Sequence, residues 1–402
     1  MIRPVLSASS YLVAGTLVQA ILAFAGNIVL LRALDPAEFG RFAVTLAGIS
    51  LIASILSLRL GVVIIRTSDS EFTADFQRRY FTAIVAEAAV VSVISGLWLI
   101  VSGSASWTGA LLVAAVGIQT FCHTARAFWE RTMPYRRIAM AETLIVAIAQ
   151  IVGVAVVVAT QSDAALYWRE AASAVATLAL LKLFGGLTFH PLTWPRLYEW
   201  RSVLREARVT WLDSILEGIF QRFTVIAVAL MAGDRGAGLF SMAQRLAVLP
   251  HQVIQPFGRV AANWFSRNTT PTDRRAGRNQ LILLLLLPLS LAALLMVVVA
   301  DTLVPGVFGE HWREAVPVLV AMGAVMIFMT VFEITRSYAL VMKQTGALLW
   351  ARAAQFGAFA AGIGAGWMTG GNTLVYAGAG LSAAFTAAFI VQLVLIRRRD
   401  AA

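Results

Sequence analysis

Leu34-Asp-Pro-Ala-Glu-Phe-Gly-Arg-Phe42 is a short polar interruption between two long apolar runs, and it returns later in the chain as Ala232-Gly-Asp-Arg-Gly-Ala-Gly-Leu-Phe240. Gly40 then falls on Gly238 and Phe42 on Phe240, each 198 positions on, close to half of the 402 residues. Arg79 and Arg278 keep nearly that offset, whereas Arg126 and Arg336 drift to 210. A fixed interval of this size predicts a duplicated architecture, with chance matching in apolar sequence as the alternative.

Working outward, the flanking runs are roughly 20 to 25 residues long, about one bilayer crossing each. The chain is 59% hydrophobic and 13% charged, with a mean hydropathy of +0.79, where a soluble domain carries about a quarter charged residues. An open sheet would leave backbone groups unpaired in hydrocarbon, and a barrel would show short alternating strands. The fold expected is therefore an all-α polytopic membrane protein with about 12 transmembrane helices in two pseudo-symmetric six-helix lobes. The first six are placed at 8–31, 41–64, 80–102, 107–127, 139–161 and 164–186. The second six are placed at 207–232, 237–260, 279–303, 314–336, 345–368 and 373–396.

Residues 1–186 form the predicted N-terminal lobe, 187–206 a cytoplasmic linker, and 207–402 the C-terminal lobe with its basic tail. Six crossings return the chain to its starting face, so the lobes share an orientation and relate by an axis along the membrane normal, with a cavity between them. In the linker, Trp194, Leu197, Trp200 and Leu204 recur at helical spacing among Arg196, Glu199, Arg201 and Arg205. That pattern suits an interfacial amphipathic helix, or else an ordinary polar loop.

The formal charge of +11 is distributed asymmetrically. One set of loops holds Arg78 and Arg79; Arg131, Arg136 and Arg137; Arg267, Arg274, Arg275 and Arg278; and the terminal Arg3, Arg397, Arg398 and Arg399. The alternate loops hold little beyond Arg32, Arg41, Arg235 and Arg313. The positive-inside rule then puts both termini in the cytoplasm and assigns the basic charge to the membrane rather than to nucleic acid. Trp98, Trp107, Trp129, Trp168, Trp264, Trp312 and Trp367 fall near predicted helix ends, as interfacial anchors do. The first helix is too long for a signal-peptide core and is read as retained. Cys122 is the only cysteine, so no intramolecular disulfide forms.

Leu31-Arg-Ala-Leu-Asp-Pro-Ala-Glu-Phe-Gly-Arg-Phe42 resembles the turn between helices one and two of polysaccharide biosynthesis proteins of the O-antigen flippase type. Ala237-Gly-Leu-Phe-Ser-Met-Ala-Gln-Arg-Leu-Ala-Val-Leu-Pro250 is similar to that family's segment opening helix eight. Val307-Phe-Gly-Glu-His-Trp-Arg-Glu-Ala315 is similar to its loop before helix ten. The family belongs to the multidrug/oligosaccharidyl-lipid/polysaccharide flippase (MOP) superfamily, and the resemblance spans nearly the whole chain. It implies a V-shaped, MATE-like pair of six-helix bundles in the bacterial inner membrane. The implied cargo is an undecaprenyl-diphosphate-linked oligosaccharide for O-antigen, capsule or exopolysaccharide, moved from the cytoplasmic to the periplasmic leaflet. A polysaccharide polymerase and a chain-length regulator are the protein partners expected beside the bilayer.

Charges inside a bilayer are costly and mark functional candidates. Arg222 lies about ten residues, roughly 15 Å, from the outer end of helix seven, and Arg245 about eight residues inside helix eight. Both are candidates for diphosphate binding through the guanidinium fork, or else for structural ion pairs. Arg59, near the end of helix two, either joins them or snorkels to the interface. Arg126, Arg259, Arg336 and Arg352 would form a basic cytoplasmic mouth that gathers anionic lipid, or else reflect plain positive-inside bias. Asp213 and Glu217, four apart on helix seven, are candidates for H⁺ or Na⁺ coupling, with Glu87 and Glu333 weaker. Gln19, Asn27 and Gln221 offer hydrogen bonds to sugar hydroxyls or between helices.

Enzyme chemistry finds little support. His123, His190, His251 and His311 lack ligand spacing, and no zinc, nucleophile-elbow or phosphate-loop motif occurs, so no cofactor is expected. A drug/cation antiporter of the same superfamily would need acidic groups, yet helix one carries no Asp or Glu. A glycosyltransferase would need a large outer loop, and the longest, near Asp301 to Arg313, is short. A non-transporting scaffold of polysaccharide assembly is the remaining rival.

Overall fold

The computed structural model describes residues 2–67, 69–132, 135–193, 197–267, 270–342 and 344–401, with side chains described outside 2–13, 197–214, 255–264 and a few single positions. Helices dominate, and no strand occurs among the described residues. In chain order they are α1 (Ile2–Ala33), α2 (Pro36–Leu56), α3 (Leu60–Arg66), α4 (Ala74–Val101), α5 (Trp107–Ala125), α6 (Ala127–Glu130) and α7 (Tyr135–Thr160). There follow α8 (Ala164–Leu183), α9 (Leu197–Arg267), α10 (Pro271–Phe308), α11 (Val316–Ala321), α12 (Gly323–Val341), α13 (Thr345–Thr369) and α14 (Thr373–Ala401). A 3-10 turn, Glu310–Ala315, leads into α11.

Nine stretches among the described residues are long and apolar enough to cross a membrane. One of them, Ile215–Gln252, has 38 residues, nearly twice the length of about 20 that a crossing needs. Gly233 interrupts it with φ 65 and ψ −171, so predicted helices seven and eight are one winding broken at a glycine. The shorter α8 carries Arg169, Glu170 and Lys182, which lower its apolarity. With α9 counted twice, α2 joined to α3 and α11 to α12, the described helices account for about twelve crossings.

Two expectations change. The second span is not continuous: helix stops at Leu56 and resumes at Leu60. The linker does not stand apart as a separate helix either, because helical backbone from Leu197 runs on into the seventh span; Trp194 and Arg196 lie outside the described residues. Of the expected tryptophan anchors, Trp107, Trp168 and Trp367 are exposed, but Trp129 and Trp312 are core residues.

The chain separates into two compact units. One comprises Met1–Leu34 with Phe42–Ile226, the other Asp35–Arg41 with Ala227–Ala402. In the first, α7 packs against both α1 and α8, and α5 against α4 and α8. Gly117 lets α5 approach Ser92 and the Ala88 carbonyl of α4. An apolar cluster joins Leu60 and Ile64 of α3, Tyr80 and Ile84 of α4, Cys122 and Ala125 of α5, and Trp129.

In the second unit α13 and α14 run in close contact, and Gly362 meets Gly380 with no room for a side chain, the small-residue device of membrane helix packing. The stretch Asp35–Arg41 belongs to this unit, for a reason legible in its residues. Asp35 Oδ1 accepts the Ala37 amide at 2.9 Å and Glu38 Oε2 accepts the Asp35 amide at 3.0 Å, a capping box with Pro36 at the first helical position. The cap starts α2 sharply and presents Gly40 to the repeat-related turn. A side chain on Gly40 would collide with the Asp234 carbonyl and stand 2.9 Å from the Gly238 nitrogen. One on Gly238 would collide with the Pro36 carbonyl and stand 3.1 Å from the Gly40 nitrogen. The partners are related by the same offset of 198 that the sequence shows.

Candidate functional site

In the first unit buried charge gathers around Arg169, in the second turn of α8 and only 7% exposed. Its Nη1 donates to Asn27 Oδ1 of α1 at 3.0 Å and its Nη2 to Glu170 Oε1 at 2.8 Å. The guanidinium carbon lies 5.9 Å from the Phe42 ring, which packs edge-on against Tyr167 at 5.1 Å. Gly153 of α7 makes room for the arginine stem, since a side chain there would meet Arg169 Cβ at 3.1 Å. Arg222 of α9 is half-buried and interacts electrostatically with the same Glu170. Two guanidinium groups therefore share one carboxylate.

A second polar region in this unit is a cavity of about 260 Å³ lined by Gln19, His123, Arg126, Glu142, Ser173 and Thr177, with Trp129, Ile138 and Leu181 among its apolar walls. Arg126 lies in it between two carboxylates, with Nε 2.7 Å from Glu130 and Nη1 2.8 Å from Glu142. Gln19 Nε2 donates to Thr143 Oγ1 at 3.4 Å. The paired Arg126 joins α5, α6 and α7 instead of presenting an uncompensated charge at a mouth.

Arg59 sits in the interruption of the second span, and Glu87 reaches that interruption from α4. Arg59 is exposed and takes the left-handed conformation, φ 52 and ψ 35, at a cost of roughly 1 to 2 kcal/mol for a residue with a Cβ. Glu87, 6% exposed on α4, accepts the Leu58 amide through Oε2 at 3.3 Å. The Ser57 hydroxyl and the Arg59 charge also act on its carboxyl.

The second unit holds Arg245, whose guanidinium carbon lies 4.7 Å from the Phe39 ring centre. Phe39, 1% exposed, meets Trp312 edge-on at 5.7 Å, and Trp312 is fully buried. Arg235 reinforces this corner with a fork onto Glu314 at 3.1 and 3.4 Å. Arg336 Nη1 contacts both oxygens of Glu333 at 2.8 and 3.0 Å. Arg352 is 4% exposed, bonded to Gln355 at 2.9 Å and 5.2 Å from the Phe332 ring, so it lies within this unit and not on a rim. Of the four arginines expected at a basic mouth, Arg126 and Arg336 are paired with carboxylates and Arg352 is buried; the side chain of Arg259 lies outside the described residues. So does that of Asp213, while Glu217 and Gln221 are half-buried on α9.

Arg222 belongs to the first unit and Arg245 to the second. Reading the sequence missed Arg169, Glu170 and Glu142. The signal was present for the first two: adjacent opposite charges inside a predicted span fall under the rule that singled out Arg222. Glu142, near a helix end among arginines, had no such mark. No group of three or more His, Cys, Asp or Glu poised to hold a metal occurs among the described residues.

A long helical chain with nine described stretches apolar enough to cross a membrane, and with arginines buried among them, defines a polytopic helical membrane protein. The solved structures it is similar to share that fold. The lipid II flippase MurJ in an inward closed conformation has 10% identity and a TM-score of 0.73 over 96% of this chain and 88% of that one. The MATE transporter VcmN of Vibrio cholerae has 11% identity and a TM-score of 0.69 over 98% and 96%. An inward-facing multidrug resistance MATE family transporter has 13% identity and a TM-score of 0.67 over 95% and 94%. No curated protein sequence matches the chain significantly. The chain belongs to the polysaccharide biosynthesis protein family, whose model matches residues 29–317.

Proposed function

We propose that this transporter flips a polyprenyl-diphosphate-linked oligosaccharide from the cytoplasmic to the periplasmic leaflet of the inner membrane, for surface polysaccharide assembly and without enzymatic chemistry. The family supplies the pathway. The observation that supports an anionic cargo is the sharing of Glu170 between Arg169 and Arg222, which leaves guanidinium charge in excess of its carboxylate. Diphosphate oxygens suit such forks, because two oxygens on one tetrahedral phosphorus can accept the paired N–H groups of a planar guanidinium. A cationic drug would meet repulsion there. In the second unit, Arg245 holds its own charge against the Phe39 ring and is a separate candidate for anion contact. Both termini are cytoplasmic in this reading, and movement draws on an ion gradient. Polymerase and chain-length regulator act on the product.

The test is deletion of the gene with leaflet-resolved measurement of undecaprenyl-linked glycans, complemented by wild type or Arg222→Ala. Cytoplasmic-side glycan-lipid should accumulate in the deletion and stay high with the variant at normal protein level. Absence of accumulation in the deletion would sink the reading.

A further inference from the structure

A membrane span that stops and restarts frees main-chain groups, and something must satisfy them. At Ser57-Leu58-Arg59 the Arg59 amide donates to the Ser57 hydroxyl at 3.4 Å, and the Leu58 amide is taken by a side chain of the neighbouring helix, Glu87, through Oε2 at 3.3 Å. Its other oxygen, Oε1, is buried and makes no hydrogen bond among the described residues. Between Phe81 and Val101 it is the only charged residue of α4. A carboxylate tied to a helix break by one oxygen, with the other unmatched, has one atom left to bind something.

We propose that Glu87 is a proton-binding site that controls the break in the second span and so couples proton uptake to the conformational cycle. The inference rests on the transport reading above and names its driving ion. A proton taken from water onto Oε1 turns the carboxylate into a neutral acid with an O–H donor, and the carbonyls freed at the end of α2 are acceptors of the complementary kind. The same proton removes the ionic attraction to Arg59 and weakens the bond to the Leu58 amide, because charge-assisted hydrogen bonds are about twice as strong as neutral ones. Arg59 holds a strained left-handed backbone at the break, so losing that attraction loosens the point where α2 meets α3.

The surroundings favour a proton over a metal cation. The charged group that acts on Glu87 is Arg59, from the break itself. From α5 the titratable group in the adjoining cluster is the buried Cys122 thiol, which shares that cluster with Ile84 and Leu60. A sodium ion would add a second cation beside Arg59, whereas a proton neutralises the carboxylate in place.

Hydrogen–deuterium exchange on the full chain in lipid nanodiscs, from about pH 8 to about pH 5 and corrected for intrinsic exchange, reads the break directly and needs no cargo. In choline chloride, peptides covering 55–62 of the wild type should exchange about tenfold faster at the acid end, the factor expected when a charge-assisted bond becomes neutral. Glu87→Gln should exchange fast at every pH, and Glu87→Asp should retain the pH response. Peptides from α7 and α8 report whether either variant is misfolded, and the wild-type profile stands independently of both. A flat wild-type profile, a pH response that survives in Glu87→Gln, or a response to NaCl at fixed pH overturns the proposal. Because exchange does not depend on transport, its outcome is separable from the glycan-lipid measurement.

Discussion

Arg169 is held in a buried position by two side chains of different kinds, a neutral amide and a carboxylate. Removing one partner of a buried charge pair leaves the other uncompensated, typically at a cost of about 3 to 5 kcal/mol. Arg169→Ala should therefore lower thermal stability in detergent by an amount at the low end of that range, because Arg222 remains to face Glu170. Glu170→Gln keeps the shape but sets two guanidinium groups against each other, and should cost more than Arg169→Ala. An equal or smaller loss would show that Arg222 is not electrostatically engaged.

His190 offers a different residue-scale test, outside the spans. It packs edge-on against Phe81 at 5.7 Å and at a tilt against Phe128 at 5.6 Å, and burial first, then the Arg78 charge, hold its pKa below the ordinary histidine value. The unfolded chain then takes up a proton more readily than the folded one. Stability from this contact is present above the unfolded pKa of about 6.5 and is lost as pH falls from there through the folded value. Thermal unfolding in detergent across that window should show the slope, and His190→Phe should flatten it.

At the scale of elements, the duplicated turns are where packing is least forgiving. Gly40→Ala and Gly238→Ala each push a methyl into a backbone carbonyl, and each should abolish accumulation of folded protein in membranes. Gly96→Ala is the contrast: open space surrounds that position within α4, and the change should stabilise by about 0.5 to 1 kcal/mol through helix propensity. Immunoblotting of membranes and thermal unfolding distinguish the three. Span count, span type and the glycine repeat were all legible, since hydrophobic length and turn chemistry are local properties. The break at Ser57–Arg59 was not, because the carboxyl that takes its Leu58 amide lies 29 residues away, and no local pattern records that reach. Arg126, Arg336 and Arg352 were visible as charges, but their partners Glu142, Glu333 and Gln355 decide whether those charges are available. A charge can be counted from sequence. Its neutralisation is a property of packing.

For the whole molecule, the excess of arginine in alternate loops makes orientation testable with few changes. Cys122 is buried and silent to impermeant reagents, so single cysteines introduced in surface loops report cleanly. Ser104 and Thr188 are both exposed and fall in loops of opposite predicted side. In intact spheroplasts an impermeant maleimide should label Ser104→Cys, while Thr188→Cys should react only after permeabilisation. Labelling of both from outside would reverse the topology on which the direction of transport rests.

The reciprocal fit of Gly40 and Gly238 reaches beyond stability into inheritance. Each glycine is the other's wall, so selection acts on the two codons as one constraint, although they lie in different copies of the repeat. Elsewhere a substitution in one copy leaves its counterpart free, and the copies drift apart. The trace of duplication should persist longest where the copies touch, and it is there, in nine residues out of each half, that this chain still reads as a sequence written twice.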